Sequence, residues 1–170
     1  MIVVLTNPTP VNDELSILHR LFDEGLEVLQ IYKPGYTLQQ INIEYSELFK
    51  QYPQKVCLHT DFKKFHSLIE LANYNKPFQY AFLSPIFDSI SKTGYKSTYN
   101  LTDVKNYLHN NPTKKIVALG GIDEDKISII EHVGFYGIAL LGALWCNKAP
   151  VEKFKRIKKQ WEQIKLTPTY

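Results

Sequence analysis

No run of apolar residues in this 170-residue sequence is long enough to cross a bilayer. The N-terminal run Met1-Ile2-Val3-Val4-Leu5-Thr6 stops at Asn7 and Pro8 and has none of the basic residues that open a signal peptide. A soluble, cytoplasmic protein with no membrane partner is therefore expected. Cysteine is nearly absent. Cys57 and Cys146 lie far apart, each in an apolar run, which excludes a disulfide framework and the spacing of a structural metal site. Two buried, inert thiols in a reducing compartment are the expectation. Charge of one sign is also scarce, since 20 Lys and Arg face 17 Asp and Glu. Bases gather only near the end, at Lys153, Lys155, Arg156, Lys158 and Lys159. They are interleaved there with Val151, Phe154, Ile157, Trp161 and Ile164, the pattern of an amphipathic helix with a solvated face. No recognition motif accompanies them, so no nucleic-acid partner is expected. Linkers, low-complexity stretches and repeats are missing as well, and residues 1–170 read as one domain.

What the chain does have is alternation. Short apolar runs at Ile2–Thr6, Glu27–Tyr32, Lys55–His59, Tyr80–Ser84, Lys115–Leu119 and Gly137–Leu141 read as six strands. Helical spacing is found over Asn12–Glu24, Thr37–Gln51, Ser67–Ala72, Thr102–His109, Asp123–Val133 and Val151–Leu166. Thr37/Gln40 and Ser67/Glu70 have the capping-box spacing, Asp123 is an N-cap, and Gly25 and Gly134 are stops. Strand and helix in turn imply parallel strands joined by helical crossovers. The strands are continuously apolar, as strands covered on both faces are. A TIM-type barrel and an open doubly wound sheet both satisfy this. A closed barrel has eight strands and rarely fewer than about 200 residues. The crowded segment His59–Ser67 is where something would have to be missing.

In either architecture ligands bind beyond the carboxyl ends of the strands. The residues there are Gln30 to Pro34, Leu58 to Asp61, Ser84 to Lys92, Leu119 to Ile122 and Leu141 to Leu144. Gly120 and Gly121 lead into a helix start, where amides without side chains can approach a phosphate. Gly142 ends the last strand, where barrel phosphate sites are completed. A tight strand-to-helix turn explains the glycine pair equally well. Ser89 and Ser91 alternate beside Lys92, which suits an anion clamp, although a polar surface loop reads the same way. His59, at a strand end, is the candidate general base, and His66 reads as structural.

These motifs resemble those of the thiamine phosphate synthase/TenI family. Ser84-Pro85-Ile86-Phe87-Asp88-Ser89-Ile90-Ser91-Lys92 is similar to the family's Gly-Pro-Val-Phe-x-Thr-x-Thr-Lys. Ala118-Leu119-Gly120-Gly121-Ile122 is similar to Ala-Ile-Gly-Gly-Ile, and Gly137 to Leu144 to Gly-Val-Ala-Val-Val-Ser-Ala-Ile. Leu29 to Lys33 resembles a Gln-x-Arg-x-Lys strand less closely. The resemblance implies a TIM-type (β/α) barrel. It implies a synthase that joins a pyrimidine methyl pyrophosphate to a thiazole phosphate, using Mg²⁺, or a relative that only binds such phosphorylated ligands. By position, Ser89, Ser91 and Lys92 would hold pyrophosphate, with Lys92 also catalytic. Gly120, Gly121, Gly142 and Ala143 would hold the thiazole phosphate, and Gln30 would face the pyrophosphate or the pyrimidine.

The departures from the family pattern are also specific. Tyr32 stands where the family has Arg, and Lys33 replaces that guanidinium in part. The Asn-Asp that ends the family's third strand aligns with His59 and Thr60, which leaves Asp61, one position later, and Asp88 as metal candidates. Pro85 occupies the position of the His that marks the thiazole tautomerases. The family's fourth strand and most of its fifth read as deleted, so the expected fold is an incomplete barrel with about two strands missing near residues 60–66. Exposed strand edges there invite pairing, and for a non-catalytic binding protein a homodimer or a heteromeric complex covering the open edge is the expectation.

Overall fold

The computed structural model describes residues 1–90, 94 and 96–166, the side chains of 165 and 166 excepted. The chain runs β1 (Ile2–Leu5), α1 (Glu14–Asp23), β2 (Val28–Ile31), α2 (Leu38–Glu44), α3 (Ser46–Gln51), β3 (Val56–Leu58), β4 (Lys63–Phe65) and α4 (Leu68–Ala72). It continues β5 (Ala81–Leu83), α5 (Leu101–Asn110), β6 (Ile116–Leu119), α6 (Ile127–Val133), β7 (Gly137–Leu140), α7 (Gly142–Trp145) and α8 (Pro150–Leu166). Short 3₁₀ turns precede β4 (His59–Asp61) and α6 (Glu124–Lys126).

The seven strands form one parallel sheet in the order β3-β2-β1-β7-β6-β5-β4. That is the cyclic order of a TIM-type barrel with a single break, between β3 and β4. The break follows from chain length. Parallel neighbours need a crossover of about a dozen residues or more, and residues 59–62 are the whole connection. An incomplete barrel is thus what the chain builds, with a narrower gap than the sequence suggests. Lys63–Phe65 supplies a strand paired with β5, so among the described residues one strand is missing from eight rather than two. Three residues, two of them lysine, carry no period that could announce it.

Strand residues alternate between two apolar layers. Ile2, Val4, Leu29, Ile31, Leu83, Ile116, Ala118, Ile138 and Leu140 face the helices. Val3, Leu5, Phe82, Val117, Leu119 and Ala139 fill the lumen. Caps form where the sequence places them. Thr37 and Gln40 make a reciprocal box, the Ser67 hydroxyl accepts from Glu70 N at 3.1 Å, and Gly134 ends α6 at φ 91°. The expected helix 37–51 is two helices, broken at buried Tyr45, whose hydroxyl donates to Glu14.

The basic run on α8 is held by the chain itself. Lys153 pairs with Asp123 and Glu124 at 2.6 and 2.8 Å, and Arg156 with Glu124 at 3.0 Å. The expectation of two buried thiols fails in part. Cys57 is half-buried, but Cys146 is exposed, because it caps the four-residue α7 at the protein surface. Among the described residues, no helix is long and apolar enough to cross a membrane.

Candidate functional site

A cavity of about 150 Å³ opens at the carboxyl-end mouth of the barrel. Its lining includes Leu5, Tyr32, His59, Lys64, Ser84 and Ser89, the stretch Leu119 to Ile122, and Gly142. Every strand of the sheet reaches it through its own residues or those that follow. Five of the sequence-selected residues meet here: His59, Ser89, Gly120, Gly121 and Gly142. Ser91 and Lys92 lie outside the described residues.

Backbone approach builds one wall. Gly120 and Gly121 adopt φ 94° and 65°, and the loop after β5 presses directly on them. A Cβ at Gly120 would stand 2.7 Å from Pro85 Cα, and one at Gly121 would meet the Asp88 carbonyl oxygen and lie 2.7 Å from Phe87 Cβ. Ile86 N donates to Leu119 O at 2.9 Å and Phe87 N to Gly120 O at 3.1 Å. The glycines therefore let two loops close together, which also carries Ser89 to the cavity. Gly142 opens α7, which Trp145 fastens by donating its indole N–H to Leu5 O at 2.7 Å.

Side chains build the opposite wall. Gln30 is wholly buried in the lumen. Its amide Nε2 donates to the Tyr80 hydroxyl at 2.7 Å, and its Oε1 lies 2.7 Å from His59 Nδ1. A carbonyl oxygen accepts, so Nδ1 carries the proton and Nε2 is the bare nitrogen. Cys57 Sγ donates to Leu29 O at 3.6 Å. Tyr32 meets the His59 ring edge-on at 5.0 Å, and Phe82 lies 5.7 Å away on another side. Phe62 stacks on Tyr80 at 4.3 Å. These rings fill the lumen beside the strand gap. Burial, reinforced by the Lys64 cation, pushes the His59 pKa down to about 4, so the ring is neutral at pH 7. Burial pushes the Cys57 thiol up to about 11, which leaves it protonated and unreactive.

Three expected site residues are elsewhere. Lys33 is fully buried, with Nζ donating to Glu14 Oε2 at 2.6 Å and to Thr9 O at 3.2 Å. It pins the loop after β1 and does not reach the cavity, so it cannot stand in for the guanidinium missing at Tyr32. Ala143 is buried in the layer that faces the helices. Asp61 is exposed and accepts from Leu58 N at 3.3 Å, capping its own turn. His66 is structural, its Nδ1 donating to Ser84 O at 3.1 Å.

Magnesium binds through oxygen donors, chiefly carboxylates. The cavity lining contains no carboxylate, and residues 91–93 and 95 are Ser, Lys, Thr and Tyr. Asp88 instead accepts from Ser97 N at 2.8 Å. Among the described residues there is no cluster of three His, Cys, Asp or Glu side chains. The donor set does not fit a resident magnesium ion.

Sequence reasoning did not find Lys64, Tyr80 or the role of Gln30. Lys64 faces the lumen because β4 is a strand at all, and Tyr80 is adjacent only through the closure of the sheet.

No family model matches this chain. A curated thiamine-phosphate synthase of Staphylococcus haemolyticus is 25% identical over 138 residues, 81% of this chain and 58% of that protein. The chain thus spans about three-fifths of the length of this relative and of the synthase from Oceanobacillus iheyensis. The crystal structure of a thiamine phosphate pyrophosphorylase from Bacteroides thetaiotaomicron superposes with a TM-score of 0.71 at 26% identity, covering 95% of this chain and 97% of that one. The corresponding protein from Pyrococcus furiosus, at 16% identity, shares the fold with a TM-score of 0.68, covering 96% of each chain.

Proposed function

The chain is a divergent member of the thiamine phosphate synthase/TenI family, and on that premise we propose that it binds one small phosphorylated heterocycle, a thiazole phosphate or thiamine phosphate, at the barrel mouth. The observation that carries this reading is the pairing of opposite walls in one cavity. Ser89, Gly120, Gly121 and Gly142 line one side, and Tyr32 and His59 place aromatic rings on the other. The phosphate lies against the first wall, where a backbone concavity favours anions, and the heterocycle lies against the second. Lys64 is the described cation at this cavity, and by family resemblance Ser91 and Lys92 add to it.

Ligand binding is favoured over the synthase reaction for one reason. Displacement of pyrophosphate develops negative charge that a metal stabilises, and among the described residues the cavity lining has no carboxylate to hold one.

Calorimetric titration with each ligand tests the proposal. One-to-one binding is expected, weakened about tenfold by Lys64→Ala through loss of a charge-assisted contact. Failure of both ligands to bind overturns it. Pyrophosphate release from the two synthase substrates with Mg²⁺ is expected to be nil, and turnover would replace this reading with that of an active synthase.

A further inference from the structure

The hydrogen bonds that join Tyr80, Gln30 and His59 have a direction. Gln30 Nε2 donates to the Tyr80 hydroxyl at 2.7 Å, which occupies the donor end of the amide. Gln30 is thereby oriented with its carbonyl oxygen toward His59 Nδ1. An amide able to flip would accept either tautomer of the imidazole. This one is fixed from behind and accepts from one tautomer.

We propose that Gln30 and Tyr80 are positioning residues that hold His59 with its proton on Nδ1, so that Nε2 meets the cavity as a hydrogen-bond acceptor and selects ligands whose ring end donates. This rests on the ligand-binding reading above. The chemical class selected is a phosphorylated heterocycle bearing an exocyclic amine or hydroxyl. The thiazole ring has only acceptors. The aminopyrimidine of thiamine phosphate has an N–H donor and is preferred. A ligand that covers Nε2 without donating to it leaves that acceptor unpaired and is disfavoured.

Nitrogen-15 NMR of the imidazole in the ligand-free protein at pH 7 tests the positioning without any ligand. The expected spectrum shows Nδ1 protonated and Nε2 bare. Gln30→Leu and Tyr80→Phe are expected to lose that preference and show a mixture of tautomers, while Gln30→Glu, whose carboxylate also accepts from Nδ1, retains it. A wild-type ring protonated on Nε2, or variants whose tautomer is unchanged, overturns the positioning role. Circular dichroism melts identify a variant that fails to fold, and the other variant then carries the test.

Titration supplies the second readout. Wild-type protein is expected to bind thiamine phosphate about tenfold more tightly than thiazole phosphate, the worth of one buried hydrogen bond. The ratio falls toward one in Tyr80→Phe. Equal wild-type affinities overturn the inference and leave the binding reading intact. No binding of either ligand, with the expected tautomer observed, overturns the selection step together with the binding reading and leaves the positioning role standing.

Discussion

The wall of the cavity formed by β6, β7 and the loop after β5 is set by backbone, whereas the wall formed by β2, β3 and β4 is set by side chains. In the first, glycines in left-handed conformation let one loop lie on another, and the local sequence is close to the family pattern. In the second, a strand is missing and the sequence departs from that pattern. There Gln30, His59 and Tyr80 bond to one another across the lumen, with Phe62 stacked on Tyr80. A backbone wall tolerates little change because each residue conformation is prescribed. A side-chain wall can be rebuilt residue by residue, and here it surrounds the point where the barrel opens.

Three measurements would break or sharpen this contrast. The largest effect is expected behind the side-chain wall, at the Glu14–Lys33 pair, whose carboxylate also accepts from Tyr45. Glu14→Ala leaves a buried ammonium without its counter-ion and is expected to cost about 3–5 kcal/mol in urea unfolding. The double variant Glu14→Leu/Lys33→Met is expected to recover most of that loss. A small effect of the single variant would show that the loop after β1 is held by something else.

Next comes the backbone wall. Gly121→Ala is expected to cost about 3 kcal/mol, by left-handed strain and by collision with the 85–88 loop together. Gly134→Ala has the strain, at φ 91°, but meets nothing within 4 Å, and is expected to cost about 1 kcal/mol. Equal losses in thermal unfolding would remove the close approach as the reason for the glycine pair.

The smallest of the three is a pH effect at His59. Its pKa is about 4 in the folded protein, against 6.5 for a solvated histidine side chain. The unfolded chain therefore binds the proton first as pH falls. The stability associated with the neutral ring is complete above pH 6.5 and is lost progressively down to about pH 4. At about 1.4 kcal/mol per unit the full shift is worth about 3.5 kcal/mol, and solvent screening of the partly exposed ring brings the expected loss to about 2–3 kcal/mol. His59→Gln is expected to show a correspondingly shallower decline in stability over that window. Parallel declines would mean that His59 is not desolvated by the rings around it.

Much of the fold was legible because its signals are local. Apolar runs separated by helical spacing specified six strands, and Thr37, Ser67 and Gly134 marked helix ends through caps that involve neighbours in sequence. The gap near residue 60 was legible too, since four residues cannot make a crossover. Lys63–Phe65 was not, because a three-residue strand is defined by its partner, β5. In the site, His59, Ser89, Gly120, Gly121 and Gly142 were found by their place at strand ends. Lys33 and Asp61 were misplaced for the opposite reason, since a strand end locates the backbone and says nothing of what the side chain turns toward.

Sequence order and composition alone determined parallel strands joined by helical crossovers, with a crowded segment near residue 60 and glycines at strand ends, since periodicity, capping and connection length act between residues close in the chain. Only the tertiary structure decided which groups share the lumen. The bonds from Gln30 to Tyr80 and from His59 to Gln30 join residues 50 and 29 positions apart. Partners at that separation are chosen by how the sheet curls, because burial makes each polar group satisfy itself with whatever the curvature brings near.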